Sequence, residues 1–367
     1  MTQKNPLPTT PKEDGFRMPG EFEPHVGCWM LWPERPDVWR KNGRPAQTAF
    51  IEVASAIAQF EPVWMGVSAA SYTSARAQLP PAVELIELEY NDAWMRDNGP
   101  TFVVNNAGEV RGIDWDFNAW GGLYQDWKAD DRLASQVLGL RGYGRYKCHL
   151  VMEGGAIDVD GQGTLIVTEQ SLLDPRRNPG RSRDEVEALL RATLSVQKVI
   201  WLQDGVYEDE TNGHVDNLCC FVRPGVVALT WTDDEDDPQY PISLAAFEQL
   251  RREVDAWGRP LQVVKIHQPI PMTITPEEAA GIVSAPGSRP RPPQQRLAGS
   301  YINYYVANGG VIVPQFKDRF DTAALEAIQF LFPDRKVAGV YAREILLGGG
   351  NIHCITQQQP FGGSKKL

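Results

Sequence analysis

The chain has 367 residues, with 36 Lys plus Arg against 47 Asp plus Glu and a formal net charge of −11 with His neutral. At 42% hydrophobic and 23% charged the composition is ordinary globular, which excludes disorder, collagen and coiled coil. The acidic balance argues against nucleic acid or an anionic membrane as partner, since both demand basic patches, and is compatible with a small cationic substrate.

The first fifteen residues, MTQKNPLPTTPKEDG, are polar and Pro-rich and lack the apolar run of a signal peptide. Residues 1–17 read as a flexible lead-in, 18–360 as one catalytic domain, and 361–367 as a flexible tail. No stretch approaches the roughly 18 consecutive apolar residues that cross a membrane. The cysteines are Cys28, Cys148, Cys219, Cys220 and Cys354, an odd set without CxxC that fits neither a disulfide framework nor a zinc ribbon. A soluble protein of the reducing cytoplasm is the expectation.

A weak internal repeat runs through the chain: a Gly-containing turn, an apolar run, a second turn, then a second apolar run. It reads NGPTFVVNNAGEVRGIDW from Asn98, GGAIDVDGQGTLIV from Gly154, and NGHVDNLCCFVRPGVVALTW from Asn212. It returns as AGSYINYYVANGGVIVPQF from Ala298 and ends as GGNIHCITQ from Gly349. Each pair of β-branched and aromatic runs predicts a β-hairpin. Amphipathic helices are predicted between them over Arg183–Leu194, Ser243–Trp257 and Thr322–Phe332. The last copy lacks a strand, which Val26-GCWMLWP near the N-terminus can supply. Five ββα-type units closed around an axis would bury one core and leave no exposed sheet edge. A plain α/β or α+β domain with coincidental glycine turns is the alternative. The Pro/Gly/Arg-rich stretch Ser284–Gln295 reads as a surface insertion loop, because the hairpin pattern resumes directly after it.

Among the five His, His214 lies in TNGHVD, where a strand would place it and Asp216 on one face. Cys354 follows GGGNIH, whose glycines allow close backbone approach to a ligand and leave a thiol at a pocket rim. His353, one residue earlier, would face the opposite way on a strand and is set aside. Asp97 precedes Asn98-Gly99 and Glu153 precedes Gly154-Gly155, so both stand at equivalent points of the repeat. If the hairpins share an axis, Asp97, Glu153, His214, Asp216 and Cys354 converge. Three carboxylates are a poor environment for a protease nucleophile but suit a guanidinium, whose fork of N–H donors carboxylates accept in pairs. Metal binding by His214, Asp216 and Cys354 is the rival, although a thiolate with hard carboxylates matches no common ion well.

These motifs resemble the agmatine deiminases of the guanidine-modifying pentein superfamily. The matching segments are MPGEFEPH, WMRDNGP, FNAWGG, MEGGAIDVDG, ETNGHVDN, LTWTDDEDDPQY, SYINYYVANGGVIVPQF and GGGNIHCITQQQP, in order from Met18 to Pro360. The resemblance implies an α/β fold, a five-bladed β/α propeller of ββαβ repeats, often dimeric or larger. It also implies hydrolysis of agmatine to N-carbamoylputrescine and ammonia, in polyamine and putrescine biosynthesis, with no metal or organic cofactor. Carried over by position, Cys354 is the nucleophile that forms an amidino-thioether, and His214 is the general acid and base. Asp97 and Asp216 grip the guanidinium, Glu153 orients and charges His214, and Trp94 lines the pocket. Glu210 stands where the family stretch has an Asp before Thr, and is a substrate-contacting acid one methylene longer. Arginine deiminase and dimethylarginine hydrolase are the nearest rivals. Both bind an α-carboxylate, and the only Arg within the motifs read as the site is Arg96, expected to point away from Asp97. Peptidylarginine deiminase fits less well, lacking that family's added domains and export signals here. A non-catalytic guanidine or polyamine binder would not need both Cys354 and His214.

Overall fold

The computed structural model describes residues 5–363. Each of the first four glycine-punctuated hairpins folds as an antiparallel pair, then continues through a helix into a third strand parallel to the second. Thr101–Asn105 pairs with Val110–Asp116, and helix Asp130–Arg141 leads to Gly144–Val151. Asp158–Val159 pairs with Thr164–Thr168, followed by helix Arg183–Leu194 and strand Lys198–Leu202. Cys219–Arg223 and Val226–Trp231 come next, with helix Gln239–Leu250 and strand Gln262–His267. Tyr305–Val306 and Gly310–Gln315 precede helix Asp321–Leu331 and strand Lys336–Tyr341. A helix in each unit is what a parallel neighbour requires, because a tight turn cannot reverse the chain twice.

The fifth unit is assembled from both ends of the sequence. Thr356–Pro360 pairs antiparallel with His25–Leu31, which continues through helix Arg44–Ile57 into parallel strand Val63–Val67. The N-terminal run VGCWML therefore does supply the strand missing from the last copy. Strand Val83–Glu87 extends that sheet by one more parallel partner. Helix Arg44–Ile57 buries Ala46, Phe50, Val53 and Ile57, spaced to form one apolar stripe against the sheet. Strands Val63–Val67, Thr164–Thr168 and Val226–Trp231 are buried along their whole length, as strands covered on both faces must be.

Helix Arg183–Leu194 has the predicted bounds, set by a capping box in which Ser182 and Glu185 exchange side-chain and backbone bonds. The helix expected over Ser243–Trp257 instead spans Gln239–Leu250. Past Leu250 the chain leaves the helix for a tight turn closed by the Val254–Pro260 bridge, with Gly258 in the left-handed region at φ 79° and Trp257 75% exposed. Helix Asp321–Leu331 matches its expected position to one residue at each end.

Residues 5–17, expected to be part of a flexible lead-in, are held to the first unit. Phe16–Arg17 pairs with Val104–Asn105, Leu7 N–H donates to Arg145 O at 2.8 Å, and Tyr146 Oη–H donates to Asp14 at 2.7 Å. Polar turn residues and buried Phe16 together anchor a stretch that composition alone marks as loose. At the other end Phe361 N–H donates to Pro24 O at 2.7 Å, while 364–367 of the expected tail lie outside the described residues. The stretch Ser284–Gln295, expected as a surface loop, is exposed at its start, but Arg291 within it is buried. Among the described residues no helix is long and apolar enough to cross a membrane.

Candidate active site

The five residues expected to converge do so, on short turns rather than on strands. Asp97 lies in the single helical turn Met95–Asn98, and Glu153 directly precedes the 3-10 turn Gly154–Ala156. His214 caps the 3-10 turn Val215–Asn217, which carries Asp216. The turn before His214 needs Gly213, which sits at φ 93° where any Cβ would run into the Gln170 side chain. These short turns pack on one another at one end of their units.

His214 is fully buried, and its Nε2 lies 3.1 Å from Glu153 Oε2. Glu153 also accepts from Arg177 Nε at 3.0 Å on both oxygens. Burial pushes the Glu153 carboxyl up, but Arg177 and His214 outweigh it and hold the group below its usual range. The other ring nitrogen, His214 Nδ1, faces Asp97 Oδ1 at 3.9 Å and has no hydrogen-bond partner among the described residues. Burial pulls His214 down, yet Asp97, Glu153 and Asp216 together raise it to about 9, so the ring is an imidazolium at neutral pH.

Asp97 accepts from Trp120 Nε1 at 2.8 Å and from Gly155 N–H at 3.0 Å. Burial, with Asp216 and Glu153 nearby, raises its pKa to about 6 against the pull of His214. Cys354 is 1% exposed; its Sγ lies 3.4 Å from Asp216 Oδ2 and 3.5 Å from Asn303 Oδ1. Burial and then the Asp216 and Asp97 carboxylates push the thiol well above its ordinary value. The remaining oxygen, Asp216 Oδ1, is buried with no partner among the described residues. A carboxylate oxygen on the group that contacts the thiol and an imidazolium N–H facing Asp97 thus stand open: the oxygen can accept from a guanidinium, and the N–H can protonate a nitrogen that becomes pyramidal once the thiolate adds.

The cavity in front of the thiol is lined by Trp94, Asp97, Trp120, Tyr124, Glu210 and Arg291, with Gly348–Gly350 as its floor. Trp94 is fixed by Asp92, which accepts its Nε1–H at 2.9 Å, and by tilted packing on Trp39 with centroids 5.0 Å apart. Gly350 is obligatory by proximity: a Cβ there would come within 2.6 Å of the Trp94 ring and 3.0 Å of Cys354 Sγ. Glu210 also lines the cavity, and Arg291 Nη1 donates to it at 2.6 Å.

Several participants are not foreseen from the sequence. Arg291 comes from the insertion stretch; beyond Glu210 it donates to the carbonyls of Leu347 and Gly348, at 2.9 and 2.7 Å. It is therefore a strut beneath the glycine run and not a surface cation. Arg96 does point away from Asp97, donating through Nη1 to Glu21 at 2.8 Å. Arg177 has no motif to mark it. Asn303 is the one amide in the aromatic run YINYY, and its place in the fourth repeat is the signal that locates it. The exclusion of His353 rests on a strand that does not exist: residues 352–355 form a turn. His353 Nδ1 consequently reaches Asp216 Oδ2 at 2.9 Å.

Residues 17–360 match the family described as Porphyromonas-type peptidyl-arginine deiminase. The agmatine deiminase of Ectopseudomonas mendocina is 55% identical over 360 residues, covering 96% of this chain and 98% of that protein. The agmatine deiminase of Pseudomonas fluorescens is 53% identical over 360 residues, with the same coverage of 96% and 98%. Among solved structures, agmatine deiminase of Enterococcus faecalis superposes with a TM-score of 0.95 at 46% identity, covering 98% of this chain and 100% of that one. The fold is accordingly the α/β fold of these deiminases. The family description carries the peptidyl-arginine name disfavoured from the sequence, whereas the highly similar relatives are agmatine deiminases. With likeness at this level along both chains, and the thiol, imidazole and carboxylates gathered at one cavity, the protein belongs to the agmatine deiminase group within the Porphyromonas-type peptidyl-arginine deiminase family.

Proposed function

We propose that this protein is an agmatine deiminase, hydrolysing agmatine to N-carbamoylputrescine and ammonia in putrescine formation. The observation that carries this reading is the pair of open, buried polar atoms, His214 Nδ1 facing Asp97 and Asp216 Oδ1 on the carboxylate that contacts the Cys354 thiol. Asp97 and Asp216 hold the guanidinium, and Trp94 and Trp120 wall the cavity around it. The guanidinium carbon is a poor electrophile, so fixing its geometry against the sulfur is a large part of catalysis.

The chemistry proceeds in two displacements. As the cation enters, the thiol proton passes by way of Asp216, whose Oδ2 lies 3.4 Å from Sγ, to solvent, and the Cys354 thiolate adds to the guanidinium carbon. His214 Nδ1–H gives a proton to one terminal nitrogen, the C–N bond breaks, and ammonia leaves an amidino-thioether on Cys354. Water then adds to the same carbon, its proton passing to the now neutral His214. The C–S bond breaks as the adduct's hydroxyl proton passes to sulfur, returning the thiol and releasing the carbamoyl product, while the proton first lost from the thiol leaves on ammonia as ammonium. Glu153, fixed by Arg177, keeps the imidazole oriented and charged. Glu210 lines the part of the cavity at which the substrate's amine arrives.

The arginine-type reading loses support here, because Arg291 is engaged by Glu210, by Tyr124 and by two carbonyls and is not free to take an α-carboxylate. We further infer one catalytic domain over 18–360, in which five units ring a pseudo-fivefold axis. Packing of the short active-site turns on one another and the pairing of Thr356–Pro360 with His25–Leu31 support that reading. A homo-oligomer, dimer or larger, is part of the same proposal. So is a cytoplasmic setting, which the five unpaired buried cysteines support.

Ammonia release from agmatine and from arginine, with the unaltered protein and Cys354→Ser side by side, tests the function. Release from agmatine alone, lost in the Ser variant, is expected. Release from arginine at a comparable rate moves the assignment to the arginine type. Silence with both substrates rejects the deiminase reading.

A further inference from the structure

Behind Asp216 lies a second imidazole that the proposed chemistry does not use. His353 is buried, with Nδ1 2.9 Å from Asp216 Oδ2 and Nε2 2.8 Å and 3.0 Å from the two oxygens of Glu21. Its backbone N–H donates to Asn303 Oδ1 at 3.0 Å, so both the ring and the main chain are pinned. A neutral imidazole carries one N–H and can donate to only one of two flanking carboxylates. Contacts of this length to carboxylates on both sides fit a doubly protonated ring. Glu21 is in turn paired with Arg96 Nη1 at 2.8 Å, and Arg96 Nε approaches His353 O at 3.3 Å.

The arrangement repeats that around His214. There a guanidinium, Arg177, backs a carboxylate, Glu153, which backs an imidazole. Here Arg96 backs Glu21, which backs His353. The first imidazole keeps a nitrogen free, 3.9 Å from Asp97, which lines the cavity. The second spends its remaining nitrogen on Asp216, and the same oxygen, Oδ2, is the one 3.4 Å from Cys354 Sγ.

The charges divide accordingly. Arg177 and His214 balance Glu153 and Asp97, while Arg96 and His353 balance Glu21 and Asp216. A neighbouring buried acid, Asp158, accepts from Phe221 N–H and is pushed well up, by burial and then by Glu21, which disfavours a further negative charge beside these four pairs. The set is then neutral with the thiol protonated, and neutral again when a guanidinium cation arrives and the thiolate forms. With a neutral His353 the same step would leave an uncompensated negative charge in a buried site.

We propose that His353 is a positioning residue, its imidazolium clamped between Glu21 and Asp216 so that Asp216 stays ionised and correctly turned toward the Cys354 thiol. This rests on the proposed deiminase reading for its consequence in turnover, but two of its readouts need no substrate. The groups that face the ring are Glu21, Asp216, Arg96 and Asp158; burial and then Arg96 pull its pKa down, and Glu21 with Asp216 outweigh them and bring it to about 9.

The test uses His353→Asn, which keeps a donor near the Nδ1 position without the charge, and Glu21→Gln, which keeps shape and removes the counter-charge. Alkylation of Cys354 by iodoacetamide at pH 8, read on its peptide by mass spectrometry, should slow by on the order of tenfold in His353→Asn, the effect of one lost neighbouring cation. Glu21→Gln should slow it less. Turnover of agmatine should fall on the order of 10- to 100-fold in His353→Asn, chiefly in kcat, as expected for a lost charged hydrogen bond. Folded variants that alkylate and turn over within about twofold of the parent overturn the proposal. If the Asn variant does not fold, the ring nitrogens of ¹⁵N-labelled His353 in the unaltered protein decide. Doubly protonated shifts at pH 7.5 uphold the proposal, and a neutral tautomer overturns it. Silence toward agmatine with the alkylation and NMR results intact would count against the function alone.

Discussion

Replacing Glu153 by Gln removes one charge from the catalytic imidazole while keeping a side chain of the same length. His214 Nε2 lies 3.1 Å from Glu153 Oε2, and its pKa of about 9 is a balance of burial against three carboxylates. An opposite charge at hydrogen-bond distance in a buried site moves a pKa by about 1–3 units, so losing it brings His214 to about 7. At pH 8 the protonated fraction then drops from roughly 90% to roughly 10%, whereas at pH 6 both forms stay about 90% protonated or more. The ammonia-release rate of the variant relative to the parent should therefore fall about tenfold between pH 6 and pH 8. The variant also leaves Arg177 short of its partner, a loss of about 3–5 kcal/mol in stability, so melting is checked at each pH. In the parent, the raised His214 pKa contributes stability that is full below its unfolded value near 6.5 and is lost as pH rises through about 9. A uniform drop in rate across pH, with the alkaline limb unmoved, would show that Glu153 orients the ring without charging it.

Three further outcomes follow from the geometry. Gly155→Ala places a Cβ 2.6 Å from His214 Nδ1, 2.8 Å from Asp216 Oδ2 and 3.0 Å from Asp97 Oδ1. Ammonia release should be lost while circular dichroism is unchanged, and retained activity would mean the three groups do not face one substrate. Asp97 has its pKa raised to about 6 by burial, so kcat/KM for agmatine should fall as pH drops below that value. The same shift makes its stability contribution largest below its ordinary pKa and lost as pH rises through about 6, so melting and activity respond to Asp97 in opposite directions. Arg291→Met removes the bonds to the Leu347 and Gly348 carbonyls, loosening the glycine run that sets Cys354. We expect kcat to fall at least about tenfold, with steady-state kinetics as the check; a change confined to KM would assign Arg291 to Glu210 alone.

Much of the architecture was legible because two signals reinforced each other. The repeated glycine turns located each hairpin, and their register pointed to Asp97, Glu153, His214, Asp216 and Cys354. The unpaired last copy even identified its partner near the N-terminus. What failed was the extrapolation of strand geometry into the turns. His214 and Asp216 do reach one space, beside Gly155, but from the cap and the body of a 3-10 turn, and the alternation that excluded His353 does not apply where the backbone turns. Arg177 and Arg291 were out of reach for a different reason. Their value comes from charges brought beside them by folding, Glu153 and Glu210, and a buried arginine in a polar loop looks in sequence like any solvated one. Phe16 and Asp14 show the same effect at the N-terminus, where composition described the segment and its partners decided its order.

The state of the thiol ties these features together. Free of ligand, Cys354 meets burial and two carboxylates, all of which favour the protonated form. The cations that balance those carboxylates are already spent on them, so nothing in the resting site pays for a thiolate. A guanidinium held by Asp97 and Asp216 supplies the missing charge beside the sulfur, so the nucleophile is made by the molecule it attacks. The ultraviolet absorbance of a thiolate should consequently rise when guanidinium ion is added at pH 7.5, and the rise should be absent in Cys354→Ser. A thiolate signal of full size before any cation is added would sink this account, because a site already ionised at rest would need a cation that the charges around Cys354 do not leave free.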